Sequence, residues 1–393
     1  MQKKVPILWS EEKDCCGCSA CYSICPVNAI TMNYNEKGFL YPTIDSEKCV
    51  VCRKCEKVCS YKSDIAQEST SDCDYIYAMK TNKLDVLNKS SSGGAFSLFS
   101  DEIISDHGAV VSALYDNNKN EVKFQLYNDY ITRDKARGSK YIQANLCNVF
   151  SESVNWLKSH EGKKLLFVGT GCQVAGFEKY ISAMGLRERV ILIDLICHGV
   201  PSLGLWKKYC DNLEKKYKNK CTSVSFKDKR NGWMNPLAYV IIGDKKVNIN
   251  GYSEWFYGGY SLRNSCFQCP YAKTNRKTDI TIGDFWGIKD TIPEFYNEKG
   301  VSLLIIHTEK GKKLFDKIKC NCEYLKTDKE VCLQPRLIAP EKKPSKYDDF
   351  WFDISNKGIE YCTKKYRQES KRNNIKNKLK KCKSIIKLYL GKK

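Results

Sequence analysis

The chain has 393 residues, 22 of them cysteine, and a formal net charge of +21. It is far too long for a small disulfide scaffold, and no apolar run reaches the roughly 18 residues of a membrane-spanning helix. A hydrophobic content of 42% with 12% aromatics suits one or two sizeable cores and excludes a disordered chain. The opening MQKKVPILWSEEKD has no apolar leader core and no small-residue cleavage pattern, so a cytoplasmic setting is expected. Thiols there stay reduced, which favours metal or redox use over disulfides. The charge is uneven: residues 356–393 hold 14 Lys/Arg against Glu360 and Glu369 and carry +12, leaving +9 for the other 355 residues.

Residues 1–62 hold nine cysteines in an internal repeat of about 34 residues, Cys15 to Cys49. Each half carries C-x2-C-x2-C-x3-C: Cys15, Cys18, Cys21 and Cys25, then Cys49, Cys52, Cys55 and Cys59. Three closely spaced thiolates can wrap three corners of a cubane, and in two-cluster ferredoxins the fourth ligand comes from the other half. The spacing therefore assigns one [4Fe–4S] cluster to Cys15, Cys18, Cys21 and Cys59, and a second to Cys49, Cys52, Cys55 and Cys25. Zinc sites use pairs of ligands, not triplets with a distal fourth cysteine. Ser60 stands where proline usually follows the fourth cysteine, and Cys16 is a spare ninth thiol, read as packing or loop filler.

Residues 63–74 are polar and Ser-rich and read as a linker. From Tyr75 strands alternate with helices. Tyr75–Lys80 reads as a strand, and Ser91-Ser92-Gly93-Gly94 opens a helix to about Ser105. Ala109–Tyr115 and Val122–Tyr127 read as a hairpin. The apolar runs Lys164–Val168 and Val190–Ile196 are each followed by a short loop and a helix (174–184 and up to Lys216), the signal of parallel βαβ units. Further strands are expected at 223–226, 238–242, 280–283 and 301–307, with a helix at 311–318. A second linker begins near Pro335.

Cys172 and Cys197 follow successive parallel strands, so both belong at the carboxyl edge of the sheet, where ligands gather. Cys266 and Cys269 form a pair in a Pro-ended loop. Four thiolates from three loops suit a third [4Fe–4S] cluster. On spacing alone, buried packing thiols with a zinc-binding or idle pair remain the alternative.

The segments SSGGAFS (91–97), GSKYIQA (138–144), GTGCQVAGFEKY (169–180), DLICHGVPS (194–202), SFKDKRNGW (225–233), CFQCPYA (266–272) and DITIGDFWGI (279–288) occur in that order. Over roughly residues 1–335 the chain resembles the coenzyme F420 hydrogenase/dehydrogenase beta-subunit family preceded by a dicluster ferredoxin domain. Many bacterial relatives of this kind are uncharacterised proteins of cell-surface polysaccharide gene clusters. The resemblance implies an α+β dicluster ferredoxin domain at 1–62 and an α/β flavin and iron–sulfur domain with a partly parallel sheet at 75–335, split into 75–160 and 161–335. It implies FAD and a further cluster on Cys172, Cys197, Cys266 and Cys269. The family usually has proline where Gly171 stands.

With the resemblance, Ser91, Ser92, Gly93 and Gly94 read as a flavin contact, since glycine lets backbone approach a ligand; a plain Ser cap with a Gly turn is the alternative. Lys140 and Tyr141 could place a cation and a ring beside the flavin, or Lys140 is a solvated side chain. Lys227, Asp228, Lys229 and Arg230 form a charged loop, a substrate contact or a solvated turn. Asp284 reads as an orienting group or a cap, and His198 as a proton relay or a hydrogen-bonded structural histidine. No catalytic residue is assigned.

The expected function is an iron–sulfur flavoprotein oxidoreductase. It passes electrons between a ferredoxin-type donor, three [4Fe–4S] clusters and FAD, to or from a small substrate or deazaflavin-like cofactor. The alternative is a non-catalytic electron-transfer subunit in a polysaccharide-biosynthesis or hydrogenase-like complex. Ile375, Leu379, Cys382, Ile386 and Tyr389 share one face of a helix whose other face is rich in lysine, so residues 356–393 read as a basic amphipathic tail. Peripheral contact with the inner face of a membrane is open for it, against docking on its own body. Nucleic acid is not an expected partner: no recognised fold or stacking platform accompanies the basic run.

Overall fold

The protein is described by a computed structural model, which defines residues 4–65, 75–146 and 148–366. The 63–74 linker (apart from 63–65), Cys73, Cys147 and most of the basic tail, including Ile375 to Tyr389, lie outside the described residues.

The cysteine-rich segment folds as short helices around a hairpin. Helix Ala20–Ile24 follows the first triplet, strands Ile30–Tyr34 and Leu40–Ile44 pair antiparallel, and helices Lys54–Lys57 and Ser60–Ile65 carry the second half. Ser60 is buried and opens the last helix, the position where proline is well tolerated.

The body is built on one nine-stranded sheet. Its strands run, in spatial order, Cys322–Thr327, Tyr75–Thr81, Ser302–Ile306, Ile280–Asp284, Val190–Leu195, Leu165–Thr170, Ala109–Asp116, Glu121–Tyr127 and Ala144–Asn145. The four at 280–284, 190–195, 165–170 and 109–116 form a continuous parallel run, flanked on both sides by antiparallel neighbours. Its central strands are buried along almost their whole length, the pattern of a sheet covered on both faces. Helices Ala95–Ser105 and Glu309–Ile318 bury Leu98, Phe99, Leu314 and Phe315 on one face. Helices Gly171–Ala183 and Leu203–Tyr217 bury Phe177, Ile181, Leu205 and Trp206 on the other. A three-stranded antiparallel sheet (Cys221–Asp228, Leu237–Ile242, Lys245–Asn248) stands apart.

Two readings change. The helix after Thr170 starts at Gly171, not near Val174, so Cys172 sits in its first turn; Thr170 and Gln173 form a capping box there. The stretch after Pro335 is not a linker: it forms helices Pro335–Ile338 and Tyr347–Asn356, with residues 358–366 also helical. Tyr347, Phe350, Trp351, Ile354, Cys362 and Tyr366 enter the main core, and Trp351 meets Phe39 of the cysteine-rich domain edge-on at 5.9 Å.

Asp353 clamps this segment, accepting from Lys365 Nζ and Tyr366 Oη at 2.7 Å each and pairing with Lys357 at 2.9 Å. These donors, Lys365 first, hold its carboxyl well below the usual carboxylate range. A depressed folded-state pKa contributes stability that is present above the unfolded value and lost as pH falls below about 4. Limited proteolysis of residues 357–366 should therefore accelerate in that acid range. D353N should show the faster cleavage already at neutral pH, and unchanged cleavage in D353N would contradict the clamp.

The cysteine-rich domain is fused to the body at several points. Gly204 N donates to Gly38 O at 3.2 Å, and a Cβ on Gly204 would lie 2.7 Å from Gly38 Cα. Neither backbone can give way there. G204A should cost about 1–3 kcal/mol or more and part the two domains, read as a lower Tm with raised hydrogen exchange at residues 37–41.

Candidate functional site

The two halves of the cysteine repeat fold alike down to single residues. Gly17 and Ser19 take φ of +72° and +62°, and their counterparts Val51 and Arg53 take +55° and +56°. This turn aims the second backbone N–H after the leading cysteine back at sulfur: Gly17 N lies 3.3 Å from Cys15 Sγ, and Val51 N lies 3.4 Å from Cys49 Sγ. A β-branched residue at positive φ costs on the order of 1–3 kcal/mol. Val51 is held there by the wrap of the chain around its sulfurs. Such concave runs of N–H groups suit an anionic centre.

The fourth cysteines cross over between the halves. A half-open cavity, with about 320 Å³ of empty space counting its mouth, is lined by Cys25 together with Cys49, Cys52 and Cys55. Ala29 N donates to Cys25 Sγ at 3.2 Å. Cys59 goes the other way: Cys18, Cys15 and Cys59 are the thiols whose charges act on Cys21. Burial pushes the Cys21 thiol well up and Cys59 to about 11. Burial raises Cys15 as well, while Cys16 holds Cys18 down. Three of these crowded thiols thus resist ionising until a positive centre arrives, so the donor set fits thiolate-bound iron.

In the body, Cys172 and Cys197 stand past the carboxyl ends of neighbouring parallel strands, as their sequence positions imply, and the Cys266–Cys269 turn closes over them. All four line one half-open cavity of about 420 Å³ counting its mouth, with His198, Tyr271, Arg276, Arg336 and Glu341. Val200 N donates to Cys266 Sγ at 3.3 Å. Burial pushes Cys197 and Cys269 to about 12. Gly171 permits the closure, because a Cβ there would lie 2.8 Å from Tyr271 Cβ. These sulfurs, too, have the type and grouping that suit a cubane. Among the described residues no three His, Cys, Asp or Glu groups are arranged to hold a single metal ion; a cubane instead spreads four thiolates over four irons.

The first and third sets touch. Cys16, read from sequence as filler, lies beside both Cys172 and Cys18, which push its thiol well up. A Cβ on Gly176, in the helix that carries Cys172, would lie 2.6 Å from Cys18 Sγ. Tyr61, Ala175 and Tyr271 form a small apolar cluster with Cys16, Cys59, Cys172 and Cys269 packed against it. The set at Cys25, Cys49, Cys52 and Cys55 lies farther out: Cys52 is exposed, as are Val27, Val50, Lys48, Arg53, Lys54 and Lys57 around it.

Other candidates find mostly local roles. Gly93 is wedged against two strands, since a Cβ would lie 2.2 Å from Met79 O, and its N–H donates to Ser302 Oγ at 2.9 Å. Gly94, at φ +94°, is the N-cap of helix Ala95–Ser105. Ser91 Oγ accepts from Ser139 N at 2.9 Å, and Ser92 Oγ donates to Val301 O at 2.7 Å. Lys140 Nζ donates to the carbonyls of Ala136, Arg137 and Gly138 at 2.6, 3.1 and 3.0 Å, and burial lowers it to about 7. It closes a helix C-terminus rather than standing in solvent. Tyr141 stacks on Phe256 at 4.3 Å and faces Tyr257.

Lys227 pairs with Asp284, which also accepts from Trp233 Nε1 at 3.1 Å. Lys229 Nζ reaches Leu87 O and Ser92 O at 2.8 and 3.0 Å, so the charged loop leans onto the 91–94 turn. Asp228 caps its own turn and binds Arg230. His198 Nε2 is hydrogen-bonded with Phe256 O at 3.2 Å, and its Nδ1 lies 3.4 Å from Glu341 Oε2. Sequence reading missed Arg263 and Arg276, both buried: Arg263 against Cys15 and Tyr41, Arg276 against Asp194 beside the Cys172 cavity. No helix among the described residues is long and apolar enough to cross a membrane.

Comparison with known proteins agrees with the cysteine pattern. No curated protein matches the chain. Among solved structures, the chain is similar to one from the F420-reducing [NiFe] hydrogenase complex of Methanosarcina barkeri, studied under xenon derivatization. The identity is 14% and the TM-score 0.45, over 77% of this chain and 91% of that one. Residues 14–63 match the 4Fe-4S dicluster domain family. Residues 162–330 match the family described as the C terminus of the coenzyme F420 hydrogenase/dehydrogenase beta subunit. The chain is thus an iron–sulfur electron-transfer protein related to the coenzyme F420 hydrogenase/dehydrogenase beta subunit, with a 4Fe-4S dicluster domain ahead of a body whose residues 162–330 match the C-terminal part of that subunit.

Proposed function

We propose that the chain is an iron–sulfur flavoprotein oxidoreductase. Cys25, Cys49, Cys52 and Cys55 would hold an outer [4Fe–4S] cluster, Cys15, Cys18, Cys21 and Cys59 a middle one, and Cys172, Cys197, Cys266 and Cys269 an inner one. When bound, the clusters supply single-electron steps and FAD gathers them into pairs for transfer to a small substrate. The observation that supports a series arrangement is the close approach of the Cys18 and Cys172 sets, with Cys16 beside both and Gly176 of the Cys172 helix packed on Cys18 Sγ.

The chain's own residues support a direction. The outer set opens at a surface carrying Lys48, Arg53, Lys54 and Lys57 beside exposed Val27 and Val50, a surface complementary to an acidic ferredoxin-type donor. Tyr61, Ala175 and Tyr271 keep water from the junction of the middle and inner sets. Past the inner set, Tyr141, Tyr257, Lys227, Lys229 and Asp284 gather on the same sheet edge as the 91–94 turn. This edge is where a flavin is placed, with Ser91, Ser92, Gly93, Gly94, Lys140 and Tyr141 forming or shaping its seat.

K54E/K57E should slow anaerobic reduction by an acidic ferredoxin by about tenfold or more at low salt and by little at high salt. C197S should leave the dicluster domain reducible while FAD stays oxidised. Flavin reduction at the wild-type rate in C197S would contradict the series arrangement. The competing reading, a wiring subunit of a larger hydrogenase-like complex, draws on the hydrogenase/dehydrogenase family match; it predicts cluster reduction with no FAD bound.

A further inference from the structure

Arg263 is fully buried, and its Nη1 and Nη2 have no hydrogen-bond partner. Its Nε donates to Cys15 O at 2.7 Å, and its guanidinium lies over the Tyr41 ring at 3.8 Å. Among the described residues no carboxylate pairs with it. An unpaired buried cation is strongly unfavourable, so the site calls for an anion that the side chains alone do not supply. The position says which. Gly17, in the turn that wraps the Cys15 sulfur, lies against Nη1, where a Cβ would come within 3.2 Å. Arg263 N donates to Val200 O at 2.9 Å, and Val200 N in turn donates to Cys266 Sγ. The charge of Arg263 thus acts on Cys15 and Cys16 on one side and Cys266 on the other.

We propose that Arg263 is the built-in counter-cation of the middle and inner clusters, seated between them and favouring their reduced states. The inference rests on the cluster assignment proposed above. A thiolate-ligated cubane is anionic and gains one more negative charge when it accepts an electron. A fixed cation in a low dielectric stabilises the reduced form more than the oxidised one. The outer cluster, whose cysteines are not among the groups on which Arg263 acts most strongly, is the internal control.

The test is an anaerobic redox titration of the reconstituted full chain, followed by electron paramagnetic resonance, with iron counted in each sample. R263Q should shift the reduction equilibria of the middle and inner clusters about tenfold or more toward the oxidised form, near 59 mV for a one-electron couple. The outer cluster should stay unmoved, and R263K, which keeps the charge, should stay near the wild-type potentials. Unmoved middle and inner clusters at full iron, or an equal shift of all three, would overturn the inference. Where R263Q does not assemble, R263K decides alone: potentials near wild type support the charge role, and a tenfold loss overturns it. If wild-type iron is short of three clusters, the cluster assignment itself fails, and the iron count tells that failure from the other.

Discussion

C25S should lose the cluster held by the second cysteine triplet, not the one held by its own. C59S should do the reverse. Each loses one cubane, so iron should fall by about four per chain in either variant. The two survivors differ in exposure. With C59S the remaining dicluster centre is the outer one, where Cys52 is exposed, and a chelator or mild oxidant should destroy it quickly. With C25S the survivor is buried against Gly176 and Cys16 and should resist. If C25S left the exposed, fast-decaying centre, each triplet would be using its own fourth cysteine. The crossed arrangement would then be wrong, although Cys25 shares a cavity with Cys49, Cys52 and Cys55.

R276M should be the most destabilising single substitution in the body. Arg276 Nη1 lies 2.9 Å from Asp194 Oδ2, and the two side chains are 3% and 1% exposed. Arg276 also donates to Leu195 O and Lys273 O at 3.1 and 2.9 Å. Asp194 accepts on its other oxygen from Thr281. Burial pushes the Asp194 carboxyl up while Arg276 holds it down. Removing the arginine leaves a buried charge without its partner, at a cost of about 3–5 kcal/mol. In a body of this size that lowers Tm on the order of 10 °C. D194N/R276M should recover part of the loss, because no unpaired charge then remains. Equal Tm for R276M and wild type would show that the pair does not hold this edge. Arg276 also lines the Cys172 cavity, so the inner cluster should assemble poorly in the single variant.

The sequence made legible what is written in local spacing. Three cysteines within seven residues, repeated after 34, specify their wrap directly, and the matching φ values at Gly17 and Val51 are the backbone form of that repeat. The two apolar runs with short following loops specify parallel strands, and from them the shared edge of Cys172 and Cys197 follows. What escaped depends on parts distant in sequence. Arg263 lies 248 residues from Cys15, and no pattern around it marks a buried cation. Cys16 looks like filler until the Cys172 helix is laid against it. Residues 347–356 mix Asp348, Asp349 and Asp353 with Trp351 and two phenylalanines. Their charges read as linker, yet their aromatic face is core because the rest of the fold leaves a place for it.

Three four-cysteine sets in series lead to a flavin-bearing sheet edge in this account, and the cofactor content of the intact chain tests that most directly. After anaerobic reconstitution and removal of unbound iron and flavin, the account predicts about 12 iron and 12 sulfide per chain, from three cubanes, with one FAD. About eight iron without flavin would contradict it, leaving a two-cluster ferredoxin domain on a body that carries no redox centre of its own.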